Sequence, residues 1–227
     1  MHKVNSPTEM ATVEYKVGSD GKANVWIRKN QEAVTIETEG GDEQTSYEAD
    51  EVYCTVDPEQ VTAAEIEADS DFWFDTLKDA ADGTDASFLS IEAFRGLKKK
   101  EVSAACHASI IAGVDVDLSI GTEHFSLAET DQLNLFGKQA QLATGATRLE
   151  YHQDGEECKY YSAEDMAGII QSAMYFVSFQ TTYCNSMYTW LEACTKASEM
   201  ADIVYGSEIP EKYWSDVYKD LMAAQSA

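Results

Sequence analysis

The chain contains 227 residues, 44% of them hydrophobic, and a chain of this length can bury a sizeable core in one large domain or two small ones. Its 41 acidic residues outnumber its 16 basic ones and give a formal net charge of −25. Such a surface repels phosphate backbones and anionic lipid, so the composition argues against binding to nucleic acid and against binding to a membrane.

The negative charge is concentrated between Glu32 and Asp75, a stretch with fifteen acidic residues and no lysine or arginine. We interpret this stretch as a solvated acidic face that keeps the protein soluble. The alternative is a face that docks on a basic partner or gathers cations.

The N-terminal residues and the cysteines indicate where the protein is made. No apolar segment follows the first basic residues, and the chain has no run of about eighteen apolar residues, so we expect neither a signal peptide nor a membrane span. The five cysteines are odd in number and widely spaced, which favours reduced thiols in a protein synthesised in a cytoplasm.

Residues 1–57 are predicted to form a small N-terminal antiparallel β unit. Alternating apolar and polar residues indicate strands at 11–17, 23–28, 34–38 and 47–56. Ser19-Asp20-Gly21 has the composition of a hairpin turn between the first two strands, and Gly40-Gly41 separates the last two.

Residues 58–112 are predicted to form a helical connector. Asp57-Pro58-Glu59 supplies an N-cap and a first-turn proline for a helix that ends near Ala81. A second, long helix is predicted over 87–112, because its apolar residues recur at helical spacing. Within it, we interpret Lys98-Lys99-Lys100 as a solvated face, since a basic run indicates nucleic-acid binding only within basic surroundings.

Residues 113–227 are predicted to form a mostly helical C-terminal domain with two β-hairpins, so the fold class expected for the whole chain is α+β. The hairpins are expected at 114–127 and 148–161. Helices are expected from a Ser126-x-x-Glu129 capping box to Gly145, and over 162–195, 198–205 and 210–222.

The helix predicted over 162–195, which Ser162 caps, organises this domain. Its apolar residues form two overlapping seams of about four heptads, with Phe176 and Trp190 on the wider face and Gln180 as the one polar member. The wide face is buried within one chain or packs between subunits. The length of the seams leads us to expect a homo-oligomer, either a dimer or a trimer.

The sequence offers no convincing metal site, and we expect no cofactor. His152 and Cys158 flank a hairpin turn, but two ligands do not complete a zinc site. Asp115 and Asp117 share one face of a strand, where a bound calcium ion is the alternative to a solvated acidic face.

The chain lacks the short motifs of several common enzyme classes. Gly-x-Gly-x-x-Gly, a Walker loop, Gly-x-Ser-x-Gly and His-Glu-x-x-His are all absent. Carboxylates are abundant, but nothing singles out a glycosidase-type pair. We therefore expect a protein that is not an enzyme.

Tyrosines are frequent in the second half of the chain. Tyr151 and Tyr160, on the second predicted hairpin, are candidates for contact with a sugar or a protein surface. Phe176 and Trp190 lie at helical spacing and are interpreted as core residues.

Four stretches carry a resemblance to known proteins: GTEHFSLAETDQLNLFGKQAQLATGA at 121–146, LEYHQDGEECKYYSAEDM at 149–166, TTYCN at 181–185 and YGSEIPEKY at 205–213. Through them the segment 114–221 resembles a family of proteins encoded in the tail-gene regions of phages and prophages. It also resembles the small domain that closes some phage tail-fibre proteins.

The resemblance implies a structural component of a phage tail or baseplate, present in the virion beside other tail proteins. It points to the polar residues His124, Asp131, Gln132, Asn134, His152 and Asp154. These residues also have a structural interpretation, in which they cap a helix, pin a hairpin or shape a turn. Two other functions stay open: a tail-fibre assembly chaperone absent from the particle, and a receptor module that binds a host surface glycan.

Overall fold

The computed structural model describes residues 1–37 and 41–225. The predicted α+β class is confirmed, because an N-terminal sheet is followed by a long helix and a mostly helical region with two small hairpins. The chain divides into two compact units. The first comprises Met1–Lys98 and Ala193–Ile203, and the second comprises Lys99–Glu192 and the residues from Val204 onward.

The first unit is built on one sheet. Its described strands are β1 (His2–Ser6), β2 (Val13–Val17), β3 (Ala23–Glu37), β4 (Glu43–Val56) and β5 (Thr84–Asp85). Four of them pair antiparallel in the spatial order β1-β4-β3-β2, and β5 adds a short parallel pairing to β4.

β3 is one strand where two were predicted. A bulge between Lys29 and Glu32 interrupts its register with β4, and Asn30 takes a left-handed backbone conformation there, with φ 55°. The bulge absorbs the irregularity, so pairing resumes and continues to Glu37. The predicted strand end at Thr38 and the break at Gly40 lie outside the described residues.

β1 was not predicted from the sequence. His2–Ser6 lacks an alternating apolar pattern, and its side chains are exposed or half-buried. It becomes a strand because Tyr47–Glu51 of β4 supplies a backbone ladder for it.

The single helix predicted over 57–81 is wrong. The structure has two short helices there, α1 (Ala63–Ala68) and α2 (Ser70–Leu77). α1 begins after Thr62, whose hydroxyl accepts a hydrogen bond from the Glu65 backbone N–H at 3.3 Å. That hydroxyl is therefore the N-cap of α1. The Asp57 carboxylate accepts the Glu59 backbone N–H at 2.9 Å, but it caps an isolated turn and not the predicted helix.

Asp69 separates the two helices. Its φ of −136° is not helical, and its carboxylate accepts a 2.9 Å hydrogen bond from the Ser198 backbone N–H. A contact with a residue far along the chain thus overrides the local helix pattern.

The core of the first unit lies between the sheet and these helices. Ala23, Val25 and Ile27 alternate along β3 with no exposed surface, and Trp73 and Phe74 of α2 belong to the same apolar cluster. Alternate residues of β3 and one face of α2 therefore pack together in one continuous core.

Lys98 corrects the interpretation of the basic run as a solvated face. Only 6% of Lys98 is exposed, and its ammonium group donates to the Ala201 carbonyl at 3.3 Å. Lys99 forms an ion pair with Glu192, whereas Lys100 is exposed as predicted. The aliphatic stem of Lys98 can be buried because its charged end still finds an acceptor.

The remaining elements follow in chain order. They are α3 (Ile91–Ala112), β6 (Val114–Leu118), β7 (Gly121–Phe125), α4 (Glu129–Ala143), β8 (Arg148–Tyr151), β9 (Lys159–Ser162), α5 (Ala163–Ala193), α6 (Ala197–Ala201) and α7 (Asp216–Gln225). The two predicted hairpins are the pairs β6–β7 and β8–β9. None of the helices within residues 1–37 and 41–225 combines the length and apolar content needed to cross a bilayer.

The helix caps follow the prediction at α5 but not at α4. The Ser162 hydroxyl accepts a hydrogen bond from the Asp165 backbone N–H at 3.0 Å and so caps α5. Ser126 makes no capping box, because α4 begins only at Glu129, and the Ser126 hydroxyl donates to the Asp131 carboxylate at 3.1 Å.

The C-terminal helices differ from the predicted ranges 198–205 and 210–222. α6 ends at Ala201, and a single 3-10 turn at Glu211–Tyr213 precedes α7. The backbone of Trp214 is extended between this 3-10 turn and α7, and the Trp214 indole N–H donates to the Ile209 carbonyl at 2.7 Å. That contact holds the chain out of helical geometry just where the predicted helix would have continued.

α5 is a core helix of the second unit. Met166, Ile169, Met187 and Leu191 have no exposed surface, and the first two belong to a cluster with both hairpins. Much of the wide apolar face is therefore buried within one chain. Met174, which belongs to neither seam, is 56% exposed.

Candidate functional site

The first hairpin and the second meet at a network of polar side chains. The Asp154 backbone N–H donates to the His124 carbonyl at 3.1 Å, and the Asp154 carboxylate accepts from the Ser126 N–H at 2.9 Å. The ring of His124 lies between two acceptors, Asp115 Oδ1 and the Ala112 carbonyl, each at 2.7 Å. The Asp115 carboxylate, and after it the Ala112 carbonyl, raises the pKa of His124.

Two of the other residues from the resemblance hold the start of α4. Asp131 accepts the Ser126 hydroxyl, and Gln132 Nε2 donates to the Leu127 carbonyl at 2.7 Å. The side chain of Asn134 is exposed and forms no hydrogen bond with any described residue. The geometry of Asp131 and Gln132 is that of structural anchors.

A buried carboxylate joins the hairpins, and sequence reasoning did not find it. Glu123 is 9% exposed and accepts a 2.6 Å hydrogen bond from the Tyr161 hydroxyl. Lys159 forms an ion pair with its other carboxylate oxygen. Burial, and then the bond to Glu123, raises the pKa of Tyr161, so the phenol stays protonated as a donor. Alternation along β7 puts Glu123 on the same buried side as Phe125, but its partners Tyr161 and Lys159 belong to the second hairpin.

The two hairpin tyrosines lie in different surroundings. Tyr151 is 8% exposed and stacks on Phe125 at a ring-centroid distance of 6.0 Å, so its ring belongs to the core. Tyr160 is exposed, and the Arg148 guanidinium lies 4.3 Å from its ring centroid. They do not form a joint aromatic surface for a ligand.

The residues considered for metal binding do not assemble into a site. Within the described ranges, no group of three or more His, Cys, Asp or Glu side chains is arranged to hold a metal ion. Asp115 is bound to His124, and Asp117 accepts the Thr122 hydroxyl. His152 stacks on Tyr151.

Gln180 lies beside a cavity of about 490 Å³ in the second unit. Its amide oxygen accepts a hydrogen bond from the Tyr205 hydroxyl, which lies in the segment after α6 and not in either hairpin. The Cys106 thiol donates to the Gln180 backbone carbonyl at 3.5 Å. Phe176 packs against the core cluster instead, and Trp190 stacks on Tyr213 at 6.2 Å.

Aromatic rings form much of the wall of this cavity. The ring of Tyr218 is central, with Trp214 at 5.1 Å, Phe179 at 5.9 Å and Tyr183 at 6.0 Å between ring centroids. The Tyr183 hydroxyl donates to the Ser207 carbonyl at 2.6 Å, which fixes the segment before α7 against α5. The wall is therefore preformed by contacts within the chain.

A second surface feature lies between α4 and α5. The groove there has a volume of about 310 Å³ and is lined by Leu135, Phe136, Ile170, Met174 and Val177 with uncharged polar neighbours. Phe136 is 68% exposed, and Leu133 beside it on α4 is 69% exposed. We call this surface, comprising Leu133, Phe136, Met174 and the groove between them, the α4–α5 face.

Comparisons with protein-family models, with curated proteins and with solved structures found no match to this chain.

Proposed function

We propose that this chain is a non-enzymatic structural subunit of a phage tail or baseplate that associates with copies of itself through the α4–α5 face. The resemblance of residues 121–146 and 149–166 to tail-region proteins suggests the setting. The observation that carries self-association is the exposure of Phe136 and Met174 in the lining of one apolar groove, with Leu133 also exposed three residues before Phe136 on α4. Large side chains clustered in this way mark interaction surfaces on soluble proteins.

Charge supports a second copy as the occupant of this face. Two chains that each carry a net charge of −25 repel one another wherever carboxylates meet. None of the described residues that line the α4–α5 groove has an ionisable side chain. Self-association is therefore least opposed there, and a two-fold arrangement would place Phe136 of each copy against the groove of the other.

Light scattering at micromolar concentration tests the self-association. The intact chain should form a dimer or trimer, and Phe136→Ser combined with Leu133→Ser should shift it to monomer while its circular dichroism spectrum stays that of the folded wild type. Val217→Ser is a matched control, because Val217 is also exposed but does not line the groove. A wild-type protein that stays monomeric over this range contradicts self-association.

Mass spectrometry of gradient-purified particles tests the setting. Peptides of this chain should copurify with tail proteins at a stoichiometry of several copies per particle. Peptides present in the lysate but absent from the particles would instead favour the assembly chaperone and would overturn the proposal of a virion subunit.

A further inference from the structure

The cavity beside Gln180 has polar groups that the fold leaves unused. The amide oxygen of Gln180 accepts a hydrogen bond from Tyr205, but its amide nitrogen donates to no described residue. The hydroxyls of Ser109 and Tyr218 and the carboxylate of Glu208 also line the cavity without a side-chain hydrogen bond in the described part of the chain. Burial raises the pKa of Tyr218, so its hydroxyl remains a donor at neutral pH.

The size and walls of the cavity suit a small molecule. Its volume of about 490 Å³ falls within the range of small-molecule sites, which is about 300–1,000 Å³. Phe179 and Trp214 contribute apolar ring surface, and the polar groups occupy other parts of the lining. Sites that combine apolar walls with a few placed polar groups are the usual form of a ligand pocket.

We infer that this cavity binds a neutral carbohydrate ring. A sugar hydroxyl both donates and accepts, so it satisfies the donors on Gln180 and Ser109 and the acceptor on Glu208 alike. The C–H face of the ring packs on Phe179 or Trp214. An organic cation is the competing occupant, because the aromatic rings and Glu208 would attract it, whereas the amide N–H groups of Gln180 would repel it.

The inference is independent of the phage setting and of self-association. The cavity is lined by α3, α5, α7 and the segment at 205–214, whereas the α4–α5 face is built on other residues. A chain that proves monomeric or absent from particles would leave the sugar site unaffected.

Saturation-transfer NMR on the intact chain tests the site. The probes are methyl α-glucopyranoside, methyl β-galactopyranoside and N-acetylglucosamine at millimolar concentration, with tetramethylammonium as the cationic comparison. At least one sugar should receive saturation, and tetramethylammonium should not displace it. Failure of all three sugars to receive saturation, or displacement by tetramethylammonium, would overturn the inference.

Two variants locate the binding. Tyr218→Phe and Glu208→Gln should each weaken the sugar by about three- to tenfold, the effect of losing one hydrogen bond. Tyr160→Phe and Glu211→Gln are matched controls away from the cavity and should leave affinity unchanged. Should Tyr218→Phe fail to fold, Glu208→Gln decides alone, because Glu208 is exposed. Unchanged affinity in the folded cavity variants would place the sugar elsewhere and refute the assignment.

Discussion

The Tyr161 hydroxyl donates a 2.6 Å hydrogen bond to Glu123 Oε2, and this bond ties the second hairpin to the first. Tyr161 is 2% exposed and Glu123 is 9% exposed, so water does not readily replace the bond. Tyr161→Phe should lower the free energy of unfolding by about 1.5–3 kcal/mol, the usual contribution of a hydrogen bond to a charged group. Urea unfolding followed by circular dichroism measures the change.

Tyr160→Phe is the control for this prediction. It removes the same hydroxyl from the neighbouring residue of β9, where the ring is 63% exposed. Its free energy of unfolding should stay within about 0.5 kcal/mol of wild type. Equal losses in the two variants would show that the bond to Glu123 contributes nothing specific.

Gly113 connects α3 to the first hairpin in a backbone conformation that other residues avoid. Its φ is +88°, and a Cβ built there would lie 2.0 Å from the Phe125 carbonyl oxygen. Gly113→Ala should therefore cost more than about 3 kcal/mol of folding stability, since left-handed strain adds to a backbone clash. Thermal and urea unfolding measure this loss.

Gly137 provides the opposite case within α4. Nothing lies within 4 Å of a Cβ built on it, and its conformation is helical. Gly137→Ala should stabilise the protein by about 0.5–1 kcal/mol because alanine has the higher helix propensity. A loss at Gly137 comparable to that at Gly113 would mean that the clash at Gly113 is not the cause.

His124 should make folding stability depend on pH. The Asp115 carboxylate and the Ala112 carbonyl raise its folded pKa above the unfolded value of about 6.5. Its contribution is therefore fully present below the unfolded pKa and is lost as pH rises through the folded pKa. The stability difference between wild type and His124→Gln should be larger near pH 5 than near pH 9, at about constant ionic strength.

The control for the pH effect is His107→Gln. His107 is exposed on α3, and its ring forms no hydrogen bond with any described residue. A pH dependence as large for His107 as for His124 would contradict a specific effect of Asp115 and Ala112.

Local sequence signals located most of the elements, and long-range contacts account for the errors. The turn residues of both hairpins and the Ser162 cap act over two to seven positions, which a sequence pattern records directly. The break at Asp69 depends on Ser198, and no local pattern encodes that contact. β1 depends in the same way on its partner strand β4.

The candidate site was predictable only in part. Gln180 stood out as the polar member of an apolar seam, which is a periodicity signal. Its partner Tyr205 and the cavity residues Trp214 and Tyr218 follow α5 in the chain and face Gln180 only after the segment before α7 folds back. The spacing of residues in the sequence does not predict that this segment folds back onto α5.

Gln180→Leu tests the role of the bond between Gln180 and Tyr205. The substitution keeps the helix propensity and the approximate side-chain volume, but it leaves the half-buried Tyr205 hydroxyl without its acceptor. The free energy of unfolding should therefore fall by about 1–3 kcal/mol. Because the bond lies within one chain, the oligomer distribution from light scattering should not change.

Tyr205→Phe removes both the donor and the unsatisfied hydroxyl. In a double-mutant cycle with Gln180→Leu, the two losses in free energy of unfolding should therefore be non-additive, with a coupling energy of about 0.5–3 kcal/mol. A rise in melting temperature together with a broader set of oligomers would show instead that Gln180 specifies assembly, and strictly additive losses would show that the two side chains do not act as a pair.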